Sequence, residues 1–158
     1  MVDVYIALGS NLGDRAQNIE AAVAGLSSLV DVTRVSPTYE TAPRYFEDQP
    51  PFFNLVVAGW TELSAMDLLK SLKALEIVLG RTPSKRFGPR VIDLDIIFYG
   101  EEQIDLPDLT IPHSGLAERE FVLRPLADIA PTKSHPTIEK SVKAMLDDLP
   151  KNTGVIKV

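Results

Sequence analysis

Asp93 and Asp95 interrupt the apolar run VIDLDIIFYG (91–100), with one leucine between them and no Lys or Arg from Val91 to Tyr99. On a strand, side chains alternate faces, so both carboxylates project from one side, about 6.6 Å apart at a rise of ~3.3 Å per residue. Like charges this close raise each other's pKa unless a cation relieves them. Mg²⁺ takes oxygen ligands and commonly uses one or two carboxylates together with substrate phosphates. Two ions about 3.5–4 Å apart could be clamped by such a pair. An exposed sheet face alternates in the same way, so the motif alone leaves both readings open.

The loop before this strand, RTPSKRFGPR (81–90), holds Arg81, Lys85, Arg86 and Arg90, four of the 16 basic residues. Its end meets the start of the aspartate strand, so its charges can reach the same site. Arginine forks suit phosphate oxygens and stabilise charge that develops in phosphoryl transfer. Taken alone, a basic loop is also an ordinary solvated surface feature. Beside two carboxylates it completes a recurring kit for polyphosphate chemistry. LGSNLGDR (8–15) has glycines at 9 and 13 but lacks the G-K-[ST] ending of a Walker loop. It reads as a strand-to-helix turn.

These groups need a frame. VDVYIAL (2–8) reads as a buried strand, and Ile19, Ala22, Val23, Leu26 and Leu29 recur at helical spacing behind Asp14, an N-cap or first-turn acid. A second strand is predicted from Val32 to Tyr39. Three prolines make TAPRYFEDQPP (41–51) a loop, and FFNLVVAGW (52–60) is the third strand. Ser64 caps a helix with its stripe at Ala65, Leu68, Leu69, Leu72, Leu75 and Leu79, stopped by Gly80. The fourth strand, 91–100, places Ile92, Leu94, Ile96 and Phe98 on one apolar face. Strand, helix, strand, strand, helix, strand is the ferredoxin-like βαββαβ order, an α+β fold with helices on one face of an antiparallel sheet. C-terminal additions follow. LAEREFVLRPLADI gives one or two helical turns broken at Pro125, IEKSVKAMLDDL (138–149) a helix, and GVIKV an edge strand. His135 reads as a surface residue.

The chain of 158 residues fits one domain, 1–158, able to bury roughly 70% of its unfolded surface. It has no cysteine, no basic leader and no apolar run of ~18 residues, which predicts a cytoplasmic protein with no membrane partner. The net charge of −6 argues against a nucleic-acid partner.

Taken together, YIALGSNLGDR (5–15), YETAP (39–43), DQPPFFNLVV (48–57), LEIVLGR (75–81), RFGPRVIDLDI (86–96) and IPH…ER.FVLRPLADIAP (111–131) resemble the 6-hydroxymethyl-7,8-dihydropterin pyrophosphokinase family. RFGPRVIDLDI is the most specific block. The resemblance implies a ferredoxin-like enzyme of folate biosynthesis. It would transfer the terminal pyrophosphoryl unit of ATP to the pterin hydroxymethyl group and release AMP. Asp93 and Asp95 would hold two Mg²⁺ ions bridging the triphosphate, with Asp95 near a metal-bound hydroxyl and no dedicated general base. Arg81 and Arg90 would act in catalysis.

The same resemblance implies that Phe52 and Phe121 sandwich the pterin, Asn54 meets its edge, Thr41 and Ala42 add backbone contacts, and Phe87 closes over the site. Asp93 would also face the pterin. Arg81, Lys85, Arg86, Arg90, His113 and Arg119 would hold ATP, with Glu76, Ile96 and Thr110 near the nucleoside. The chain departs from the family where proline and arginine often follow IPH: here stand Ser114 and Gly115. Asp108 occupies a position that is basic in some relatives. A monomer or weak homodimer is expected. The rival readings are another Mg²⁺-dependent nucleotidyl or phosphoryl transferase on the same scaffold, and a ferredoxin-like metabolite-binding module.

Overall fold

Hydrophobic alternation, two capped helices and a late bulge build the frame. The computed structural model describes residues 1–41, 50–81, 90–150 and 154–158. The main sheet contains β1 (Val2–Ser10), β2 (Asp31–Val35), β3 (Tyr39–Thr41), β4 (Phe52–Thr61), β5 (Asp93–Tyr99) and β8 (Val155–Lys157). Its order is β5-β1-β4-β3-β8, with β2 also on β4, and every pairing is antiparallel. Helices α1 (Arg15–Leu26) and α2 (Ala65–Val78) join the core strands. The order is ferredoxin-like, with the second core strand divided into β2 and β3. A separate hairpin, β6 (Ile104–Leu106) and β7 (Leu109–Ile111), leads to a 3-10 turn at Leu116–Glu118, then α3 (Glu120–Ile129) and α4 (Val142–Asp147).

Both predicted caps form. Asp14 accepts from Gln17 N–H and Ser64 from Asp67 N–H, each at 3.1 Å, satisfying donors that a helix start leaves orphaned. Along β1, Val4, Ile6 and Leu8 turn toward α1 and α2, where they join Ile19, Leu26, Leu68 and Leu72. Tyr5 turns the other way, into a second cluster with Val56, Ile97, Phe98, Leu123, Leu126 and Met145.

That second cluster corrects the expectation of helices on one face: α3 and α4 cover the other. Further corrections follow from local chemistry. The predicted strand 32–39 is two strands, because Pro37 has no N–H to donate and Ser36 turns inward. Ser36 N–H donates to Val56 C=O, while its Oγ accepts from Val56 N–H, both at 2.9 Å. The face Ile92, Leu94, Ile96, Phe98 is broken by a bulge at Ile97, since Ile6 pairs Ile96 but Tyr5 pairs Phe98. Phe98 therefore faces α3 rather than α2. α3 runs unbroken through Pro125, whose burial with Val122, Leu123 and Leu126 outweighs one lost bond to Phe121 C=O. The helix predicted over 138–149 is confined to Val142–Asp147, capped by Ser141 and preceded by Glu139 at φ 62°. His135 is buried: its Nδ1 accepts from Thr137 and Ile138 N–H at 3.1 Å, and its ring meets Phe98 edge-on. Among the described residues no helix is long and apolar enough to cross a membrane.

Candidate active site

β5 is an edge strand of the sheet. Leu94 and Ile96 face α1 and α2, so alternation sends Asp93 and Asp95 to the α3 face. The outer edge is anchored at two points. Glu76 Oε2 accepts from Leu94 N–H at 2.7 Å, and His113 N–H donates to Ile97 C=O at 2.9 Å. Glu76 is only 3% exposed, a buried acid that needs partners. Its Oε1 lies 2.9 Å from Arg81 Nη1 and 3.5 Å from Lys73 Nζ.

The end of α2 places Arg81. Gly80 adopts φ 106°, Gly80 N–H donates to Ile77 C=O, and Arg81 N–H donates to Glu76 C=O, both at 3.0 Å. This is a Schellman ending, which needs a residue free of Cβ at the left-handed position. It turns the Arg81 side chain beside Glu76 and onto Asp93 Oδ1 at 2.8 Å. Asp93 thus has a cationic partner twelve residues upstream, outside the stretch 91–99 where the sequence offers none.

Electrostatics differ between the two carboxylates. Burial, then the Asp93 charge, pushes the Asp95 carboxyl up to about 7; Glu76 adds to the rise, while Lys73 and Arg81 oppose it. Glu76 is also raised, by burial first, against the pull of the Leu94 N–H, Lys73 and Arg81. Burial and the Arg119 charge lower the His113 pKa, with Asp93 acting in the opposite sense. His113 and Arg119 are therefore electrostatic neighbours of each other, and Asp93 of His113.

Across the sheet, one row runs Asn54 on β4, Gly9 on β1, Asp93 on β5; the next runs Val56, Ala7, Asp95. The floor between amide and carboxylates is thus made of the two smallest residues. Asn54 is buried and its Nδ2 donates to Thr41 Oγ1 at 2.8 Å. Phe52 shares its face and pairs Thr41 across β3. Phe121 packs beside the α3 cluster, with Arg119 Cζ 5.9 Å from its ring centroid. Arg119 also lies against Gly115, so one member of the departing Ser114–Gly115 pair makes room for it.

Arg90 is tied to the turn after β1: Asn11 N–H donates to Arg90 C=O at 3.0 Å, and Asn11 Oδ1 accepts from Arg90 N–H at 2.7 Å. The same side chain donates through Nδ2 to Pro50 C=O at 3.1 Å. Arg15 adds a bond to Pro51 C=O and an ion pair with Glu40, both at 2.9 Å, and sits 3.8 Å over the Phe53 ring.

The structure thus gathers Glu76, Arg81, Asp93, Asp95, His113 and Arg119 at one edge, and Thr41, Phe52 and Asn54 across the row. The Ile96 side chain lies in the α1/α2 core, leaving its main chain toward the edge; Thr110 is exposed on β7, which contacts β5. Ala42, Lys85, Arg86 and Phe87 lie outside the described residues. Lys73, Gly9, Asn11 and Arg15 escaped the sequence reading. LGSNLGDR carries three of them; it reads as a strand-to-helix turn, and the resemblance that includes it gives none of the three a role.

Residues 5–131 match the model of the 7,8-dihydro-6-hydroxymethylpterin-pyrophosphokinase (HPPK) family. The chain is 46% identical over 130 residues to the 2-amino-4-hydroxy-6-hydroxymethyldihydropteridine pyrophosphokinase of Pseudomonas aeruginosa, covering 81% of this chain and 80% of that one. It is 43% identical over 152 residues to the folic acid synthesis protein FOL1 of Dictyostelium discoideum, covering 96% of this chain. It spans only 23% of that longer relative. A Plasmodium falciparum HPPK-DHPS crystal structure superposes with a TM-score of 0.74 at 16% identity, over 93% of this chain and 43% of that one. The chain belongs to the 7,8-dihydro-6-hydroxymethylpterin-pyrophosphokinase family.

Proposed function

We propose that this chain transfers the terminal pyrophosphoryl group of ATP to the hydroxymethyl oxygen of 6-hydroxymethyl-7,8-dihydropterin, releasing AMP, as a step of folate synthesis. The hydroxyl oxygen bonds to the β-phosphorus while the bond from that phosphorus to the α–β bridging oxygen breaks. The observation that carries the reading is the row Asn54–Gly9–Asp93. It sets an amide suited to a flat heterocycle's edge opposite carboxylates and arginine suited to a triphosphate.

Asp93 and Asp95 fit Mg²⁺ as a pair of hard oxygen donors on one face. Among the described residues no group of three or more acidic, His or Cys side chains could enclose a metal, so the pair leaves coordination positions for phosphate. Mg²⁺ held there supplies charge neutralisation on the triphosphate. Arg81, fixed by Glu76 and the end of α2, offers its guanidinium to the same phosphates, and Arg90, His113 and Arg119 add donors around them. The Ile96 main chain, turned to the free edge of β5, meets the nucleoside. Phe52 and Phe121 stack on the pterin from opposite layers, and Thr41 holds the Asn54 amide that reads its edge. Catalysis then consists of placing the hydroxyl near phosphorus and stabilising charge, which is what phosphoryl transfer needs.

The test is a product assay with ATP, Mg²⁺ and the pterin, with nucleotides resolved by chromatography. AMP formed only when the pterin is present is the expected result. ADP, or no pterin-dependent turnover by folded protein, refutes the reading.

A further inference from the structure

Gly9 lies between Asn54 and Asp93 in the register of β1. Its backbone does not call for glycine: among the described residues the left-handed glycines are 13, 80, 100, 115 and 154. Glycine inside a strand weakens it, and where φ is ordinary it marks a close approach. The approach here is specific. A Cβ at Gly9 would stand 2.9 Å from Asn54 Oδ1, with Phe52 Cδ1 at 3.6 Å and the Phe53 carbonyl oxygen at 3.8 Å. Only the first is too short for a real contact. A methyl would therefore collide with the end of one side chain and leave the main chain undisturbed. Asn54 yields only at the cost of a hydrogen bond, because its Nδ2 donates to Thr41 Oγ1 at 2.8 Å. Turning the carboxamide away from a methyl gives up that bond and moves the oxygen off the row that leads to Asp93.

We propose that the bare Cα of Gly9 fixes the orientation of the Asn54 carboxamide, making Gly9 a specificity-determining position for the pterin that acts through Asn54. The proposal rests on the pterin reading above for its ligand, and on the Gly9–Asn54 contact alone for its mechanism. The position can take a methyl without unfolding, since a rotatable amide absorbs the clash.

A double-mutant cycle tests this, using Gly9→Ala, Asn54→Ala and the double variant. Pterin affinity is measured by calorimetry with a non-hydrolysable ATP analogue present. Gly9→Ala is expected to weaken pterin binding about tenfold or more, a loss typical of a polar group left mispaired, while ATP-analogue affinity stays within about threefold. In the Asn54→Ala background the added methyl is expected to cost less than about threefold, because its target is gone. Unchanged pterin affinity in Gly9→Ala, or a full additive loss in the double variant, overturns the proposal. Side-chain amide resonances of Asn54 in the protein without ligands give a readout independent of binding: Gly9→Ala should shift them while most main-chain resonances hold. If wild-type protein binds no pterin, the functional reading falls, and the resonances still decide the contact, unshifted signals refuting it. Should Gly9→Ala fail to fold, Thr41→Val releases the same amide without adding bulk. It is expected to weaken pterin and spare the ATP analogue; no effect on pterin overturns the proposal.

Discussion

Asp95 is the residue whose chemistry and stability pull in opposite directions. Its carboxyl, pushed up to about 7 by burial and by Asp93, is harder to ionise folded than unfolded, where an aspartate sits near about 3.9. Between those values the folded state binds more protons than the unfolded state. Its contribution to stability is therefore present in acid and declines as pH rises from about 4 through about 7. Above that window the protein carries a charge the fold disfavours, which is what a cation-binding site requires. Asp95→Asn should accordingly melt higher than wild type at pH 8, converge with it at about pH 3.5, below both pKa values, and lose turnover by about 10²-fold or more. Differential scanning calorimetry at both pH values, with the product assay, checks this; a variant that melts lower at pH 8 contradicts the electrostatic account. The placement of Asp93 and Asp95 on one strand face is legible in sequence, because side chains on a strand alternate with period 2. The role of Arg81 as Asp93's partner is not, because it depends on the Schellman turn aiming one side chain across a twelve-residue gap.

At the scale of elements, the βαββαβ order was readable because periods of 2 and 3.6, and the caps Asp14 and Ser64, are local signals. What was not readable is what tertiary contacts decide. The Ile97 bulge exists only through pairing with β1, and α3 ignores Pro125 because its buried face packs on the sheet. The same holds for the turn between β1 and α1. Asn11, 0% exposed, joins Pro50 and Arg90, two chain points 40 residues apart in number, through one carboxamide. No spacing rule announces such a bridge. Asn11→Ala removes the side-chain partner of the Pro50 C=O, on an exposed residue, and of the half-buried Arg90 N–H, a loss of about 1 kcal/mol per bond in urea unfolding. Because Arg90 is held through its main chain, turnover should fall about 10–100-fold, the usual penalty for removing a group that orients a functional residue. Amide exchange at Arg90 should quicken in the same variant. Slow exchange with full activity would show that Arg90 is held by other means.

For the whole molecule, residues 132–158 matter most, since the family match stops at 131 and sequence assigned them no role. They brace both walls of the site. α4 sends Val142 and Met145, at 0% and 2% exposure, into the cluster beneath α3, the helix that brings Phe121. β8 pairs β3, whose Thr41 holds Asn54. We propose that the two helical layers and the sheet between them unfold as one domain, since β1, β4 and β5 each contribute side chains to both clusters. Met145→Ala, far from the reacting groups, should then cost about 2–4 kcal/mol, as a large-to-small change in a well-packed core does. It should shift a single transition rather than create a second. Trp60, the one tryptophan, sits on β4 and reports the sheet, while far-UV circular dichroism reports the helices. Coincident urea curves from the two probes, displaced together by the substitution, are expected. Separated curves, with Trp60 unmoved, would mean that α3 and α4 fold as a unit of their own and that Phe52 and Phe121 come from different domains.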